Sequence, residues 1–218
     1  MPLAQQSGER HQTPAVVCLL LAAVLLLAAA WTLPFSFESQ SILYKFGAQR
    51  IALRCGKLVG LTVALLLFYQ LAAVSPLGIP DRLFSRGRRL AFHRRNGLVL
   101  GLLILLHPVL ILGADDFAGY PLEKKYWPEF VGAAVLLLLL ALVATAVFRE
   151  RLRLPYPVWL RGHRLAAPLV VALLFVHLLS VSETFRSGPP RLAAFCLAGG
   201  ELLLFAGIWL RGRSPGRG

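Results

Sequence analysis

Six long apolar runs divide the chain, at approximately 15–33, 57–74, 93–113, 129–148, 163–182 and 191–210, with charged and turn-forming residues between them. None alternates apolar with polar residues, as a strand of a membrane barrel would. About 20 residues of helix cross the roughly 30 Å hydrocarbon layer, and in lipid every backbone polar group must be satisfied internally. The pattern predicts an all-α integral membrane protein, a bundle of about six transmembrane helices over residues 15–210. A polar N-terminal tail (1–14) and a basic C-terminal tail (211–218) flank it. Ala28, Ala29 and Ala30 resemble a leader cleavage site, but Glu9 offsets Arg10 and the run is long for a leader, so the first span is expected to remain.

Composition sharpens this picture. Of 218 residues, 57% are hydrophobic and 15% charged, with a mean hydropathy of +0.69. A soluble domain of that length has too little interior to hide so much apolar surface. The formal charge of +13 does not indicate a nucleic-acid partner, because the cations sit in short segments between apolar runs. With both termini on the cytoplasmic side, 15 of the 23 lysines and arginines fall inside and 8 outside, the bias that sets membrane topology. Pro34 to Gly56 forms the longest connector, placed along the outer interface, and Tyr120, Tyr126 and Trp127 suit an interfacial aromatic belt. Cys18, Cys55 and Cys196 are scattered, with no CxxC spacing, and indicate neither a disulfide framework nor an iron–sulfur site.

The candidate chemistry lies in the histidines. His93 to His107 is a step of 14 residues, and so is His163 to His177. Fourteen residues make just under four turns, so each pair shares a helix face at a separation of about 21 Å. Spans three and five run in the same direction in this topology. His93 and His163 therefore share the inner level, and His107 and His177 the outer one. Two facing imidazoles at each level suit the axial positions of a haem iron. A single histidine in a membrane helix is more often a hydrogen-bonding group; two pairs of identical spacing on parallel helices favour ligation. Gly97 and Gly101 follow His93 at helical spacing and leave room for a flat macrocycle, while Arg94, Arg95, Arg161 and Arg164 offer cations to haem propionates. Arg186 is placed to serve the outer level, and Pro108 and Pro168 are expected to bend the ligand helices. His11 falls in the polar tail.

The segments RLAFHRRNGLVLGLLILLHPVLIL and LRGHRLAAPLVVALLFVHLL resemble the paired haem helices of the ferric-reductase-like transmembrane superfamily, which includes ferric reductases, NADPH oxidases and bacterial methionine-sulfoxide-reductase haem subunits. The resemblance covers roughly residues 50–210. It implies that His93, His107, His163 and His177 are axial ligands of two b-type haems, and that electrons pass outward from an inner-side flavin donor. It also makes a bacterial inner membrane the expected location. No GxGxxG or other flavin- or nicotinamide-binding stretch occurs in the 218 residues. The donor is therefore expected to be a separate cytoplasmic flavoprotein or a membrane quinol, with an acceptor on the periplasmic or extracellular side.

Two further features have plainer readings. Glu201 is the one carboxylate deep inside a span, and a helix-packing role, with Gln70 as partner, is favoured over proton or quinone chemistry. Asp115, Asp116, Glu123 and Glu129 make the loop after span three acidic, either to attract a cationic acceptor or simply as a solvated loop. The alternative to an electron-transfer module is a non-redox scaffold or transporter component with structural histidines.

Overall fold

The computed structural model describes residues 3–37, 47–77, 79–118 and 123–213, with side chains from Pro14 to Leu210. Lys45 and Tyr120, and the side chains of His11 and of the basic C-terminal tail, lie outside the described parts. The regular elements are helices α1 (Leu3–Ser36), α2 (Gly47–Val74), α3 (Ile79–Leu83), α4 (Arg86–Gly113), α5 (Trp127–Val147), α6 (Tyr156–Val181) and α7 (Gly188–Arg213), with 3-10 turns at Lys124–Tyr126 and Glu183–Phe185. Six of the helices are long and apolar enough to cross a membrane, and no strand occurs among the described residues.

Several helices outrun the apolar segments that announce them. α4 starts at Arg86 and α6 at Tyr156, so His93 and His163 lie well inside helices. Arginine is a good helix former, and the Ser85 hydroxyl accepts the Arg88 N–H at 3.4 Å at the start of α4. Pro157 occupies the first turn of α6, where an N–H has no helical partner to lose. The connector read as Pro34 to Gly56 is shorter, because α1 runs to Ser36 and α2 begins at Gly47.

α2 packs on α4, α4 on α5, α5 on α6, α6 on α7, and α7 back on α2, closing a ring of five helices. α1 stands outside it, tied to α2 where the Tyr69 hydroxyl donates to Ala23 O (2.7 Å) and Trp31 Nε1 donates to Thr62 Oγ1 (3.0 Å). Val63, Ala64 and Leu67 of α2, Leu100 and Ile104 of α4, Val135 and Leu139 of α5, and Val170 and Leu174 of α6 form the buried centre. Lipid tails are as apolar as leucine, so this centre is held by van der Waals fit rather than by exclusion of water. Gly207 shows how close the fit is: a Cβ there would run into the Leu77 side chain. Large apolar side chains such as Leu102, Leu137, Leu165 and Leu202 are exposed on the outside of the bundle, the surface a bilayer would cover.

Candidate functional site

The four histidines come from two facing helices, α4 and α6. His93 is followed at steps of 7 and 11 by Leu100 and Ile104, and His163 by Val170 and Leu174 at the same steps. All four apolar residues belong to the buried centre, so the histidines flank it above and below on one face of each helix. The His93 and His163 ring centres are 6.2 Å apart at an interplanar angle of 69°. His107 and His177 lie within electrostatic range of each other at the opposite end. The two helices are therefore parallel, and the pairs form across helices.

His107 and His177 are held by the same device. His107 Nδ1 is 2.9 Å from the Gly56 carbonyl, and its ring covers Gly60, where a Cβ would stand 2.8 Å from Cε1. His177 Nδ1 is 2.8 Å from the Pro128 carbonyl, and its ring covers Gly132, where a Cβ would stand 2.5 Å from Cε1. In each case a glycine one helical turn beyond the carbonyl lets the imidazole reach it. A carbonyl only accepts, so Nδ1 carries the hydrogen and donates, leaving the Nε2 lone pair for a metal. Gly56, Gly60, Pro128 and Gly132 were not singled out by sequence reasoning. The available signal is an offset: Gly56 to Pro128 and Gly60 to Gly132 are each 72 residues, against 70 for His93 to His163 and His107 to His177.

The other level is built differently on its two sides. His93 Nδ1 lies 3.5 Å from the Gln70 carbonyl, at the limit of a hydrogen bond. Gln70 Nε2 donates to His93 O (2.9 Å), while buried Asn96 donates through Nδ2 to Gln70 Oε1 (2.7 Å) and Leu66 O (2.9 Å). These bonds tie α4 to α2 beside His93. On α5, 72 residues after Gln70, stands Leu142, which has no amide to offer. His163 Nδ1 is accordingly buried without a hydrogen-bond partner. Its ring packs instead on Trp159, with centres 5.3 Å apart, beside a cavity of about 220 Å³ that Leu138, Leu142 and Gly162 also line.

The remaining expected residues are placed as follows. Arg94, Arg95, Arg161 and Arg164 are exposed at the His93/His163 end. Gly97 faces the Gln70 amide and Gly101 faces Val143 of α5, so both lie where helices approach closely. Pro108 and Pro168 sit inside continuous helices. Arg186 is exposed, and its carbonyl accepts from Arg191 Nη1. Glu201 is fully buried, but Gln70 is not its partner: the Gln70 amide turns to α4, and neither Glu201 carboxyl oxygen has a hydrogen bond. Cys18 and Cys196 face outward rather than into the bundle. Of the acidic group, Glu123 pairs with Lys125 (2.9 Å), and Glu129 is near enough to His177 to interact electrostatically.

Among the described residues no group of three or more His, Cys, Asp or Glu side chains gathers that would hold a metal ion by itself. Each level offers two imidazoles, so a metal there needs the rest of its ligands from a frame of its own, as in a haem. The His93 and His163 rings, with centres 6.2 Å apart, are near enough for both imidazoles to serve one such group.

A family model described as ferric reductase like transmembrane component matches residues 55–174, more than half of the chain. The chain belongs to that family. The match takes in α4, α5 and most of α6, with His93, His107 and His163, and stops just short of His177. No curated protein and no solved structure matches. Membership points to transmembrane electron transfer and to the membrane subunit of an oxidoreductase.

Proposed function

We propose that this ferric-reductase-like chain carries electrons across a membrane through two b-type haems, one held by His93 and His163 and the other by His107 and His177. The supporting observation is the construction of the second pair. Two imidazoles on different helices are turned by backbone carbonyls 2.9 and 2.8 Å from Nδ1, each over a glycine that makes the approach feasible. When bound, haem iron supplies one-electron redox chemistry between its ferric and ferrous states.

The protein's part is positioning, burial and charge. The apolar layer of Leu100, Ile104, Val170 and Leu174 keeps water from the space between the levels. Arg94, Arg95, Arg161 and Arg164, exposed at the His93/His163 end, are the cations this reading offers to propionates, and Gly97 and Gly101 set the approach of α4 to its neighbours. The arginine-rich end faces the cytoplasm of a bacterial inner membrane in this reading, with both termini inside. The donor is then a cytoplasmic flavoprotein or a membrane quinol, and the acceptor lies outside. Expression with ample haem tests the proposal: the purified protein is expected to show b-type absorbance, lost in stages as the two pairs are replaced. A colourless, stable bundle whose histidine variants differ only in stability would instead support a scaffold or transporter role.

A further inference from the structure

The four histidine rings are not held alike. His107 Nδ1 and His177 Nδ1 reach the Gly56 and Pro128 carbonyls at 2.9 and 2.8 Å, and each ring fills the place of a side chain on a glycine. Neither ring can turn without breaking that bond and leaving its N–H and the carbonyl unpaired. His93 Nδ1 faces the Gln70 carbonyl at 3.5 Å, and the Gln70 amide donates to His93 O (2.9 Å). His163 has no such hold. Its Nδ1 is buried without a hydrogen bond, and α5 offers Leu142 where α2 offers Gln70. The ring packs on Trp159, with centres 5.3 Å apart, and Trp159 Nε1 is likewise buried without a hydrogen bond. Ring packing rather than polar bonding therefore sets the His163 side chain, and each atom pair in such packing contributes little.

Space to turn lies beside it. A cavity of about 220 Å³ between α5 and α6 is lined by His163 together with Leu138, Ala141, Leu142, Gly162 and Ala166. A water molecule takes roughly 30 Å³ in the liquid, so this space has room for an imidazole ring. A Cβ on Gly162 would meet nothing within 4 Å, whereas one on Gly60 or Gly132 would run into a histidine ring. Thr145, the hydroxyl in the cavity wall, donates to Ala141 O of its own helix (2.7 Å) and does not hold His163. The rest of the wall is apolar, which favours neutral molecules over ions.

We infer that His163 is an exchangeable axial ligand, and that the His93/His163 level alone admits a small neutral diatomic ligand such as carbon monoxide or nitric oxide. The inference deepens the haem reading above and rests on it. At rest His163 occupies its axial position. In the exchange its ring turns into the cavity and Nε2 gives up one coordinate bond to ferrous iron. The carbon of carbon monoxide supplies an electron pair in its place. No electron is transferred and no proton moves. His107 and His177, each fixed by a carbonyl and seated on a glycine, keep their positions and close the other level to such a ligand.

Carbon monoxide is the probe, added to the dithionite-reduced full chain in nanodiscs after haem content has been read from the spectrum. Uptake is expected at one haem of the two. The variant with His107→Ala and His177→Ala, left with the His93/His163 haem, is expected to bind it. The variant with His93→Ala and His163→Ala, left with the other haem, is not. Ala166→Leu and Leu142→Phe fill the cavity from opposite walls and are expected to slow binding on the order of tenfold or more. Trp159→Ala removes the packing partner of His163 and is expected to speed it. Haem that ignores carbon monoxide, or takes it at the His107/His177 level, would overturn this inference and leave the haem reading standing. Faster binding in both filled variants, or loss of haem from both, would show that His163 does not turn into this cavity and would overturn it too. A protein without haem would overturn the haem reading and this inference with it.

Discussion

The His177 ring lies over Gly132 so closely that a Cβ at that glycine would stand 2.5 Å from Cε1. His107 has the same relationship with Gly60, where the distance is 2.8 Å. Gly132→Ala and Gly60→Ala therefore force the imidazole off its carbonyl or the helices apart. Overpacking of this kind costs about 1–3 kcal/mol. Each variant is expected to lose haem selectively from the His107/His177 level, read as one of two components disappearing from a spectroscopic redox titration. An unchanged titration would show that these rings do not hold a haem.

Single replacement of the histidines separates the levels. His107→Ala and His177→Ala are expected to remove one haem, and His93→Ala and His163→Ala the other, because the buried layer of Leu100, Ile104, Val170 and Leu174 stands between the two sites. The measurement is haem per chain by pyridine haemochrome. Loss of both haems from every single variant would contradict two separate sites.

Asn96 joins Gln70 and Leu66 to the helix that carries His93. Asn96→Leu leaves Gln70 Oε1 and one carbonyl without this donor, a loss of about 1–3 kcal/mol. Thermal unfolding in detergent is expected to fall accordingly. The reduction potential of the His93/His163 level should shift while the other level stays in place. A shift of both potentials together would point to a global disturbance.

Glu201 of α7 is fully buried, and neither oxygen of its carboxyl has a hydrogen bond. A buried polar group without a partner costs roughly 1–3 kcal/mol. Glu201→Leu is therefore expected to keep or raise stability in chemical unfolding and to leave haem content intact. Marked destabilisation would show that the carboxyl serves a purpose that packing does not explain.

The helices were legible in the sequence because lipid imposes a simple rule on length and composition. Their ends were less so, since α4 begins at Arg86 and α6 at Tyr156, ahead of the apolar runs, where hydropathy gives no signal. The histidines were legible because a doubled step of 14 has a direct helical meaning. Their supports were not. Gly60 and Gly132 look like ordinary small residues in apolar runs until α2 and α5 are set against α4 and α6. The 72-residue offset between them differs from the 70-residue histidine offset, so no uniform repeat exposes the relationship. Gln70 was matched with Glu201 because both are polar residues within spans. In the structure the Gln70 amide bonds to α4 and Glu201 has no hydrogen bond, and only helix packing determines which polar groups meet.

The central claim is that two pairs of imidazoles each hold one haem. The most direct test is the visible absorption spectrum of the purified, haem-supplied protein, taken oxidised and dithionite-reduced and quantified against chain concentration. Two b-type haems per chain, both low-spin and six-coordinate, are the predicted result. A protein that remains colourless, or binds haem equally well after all four histidines are replaced, would contradict it.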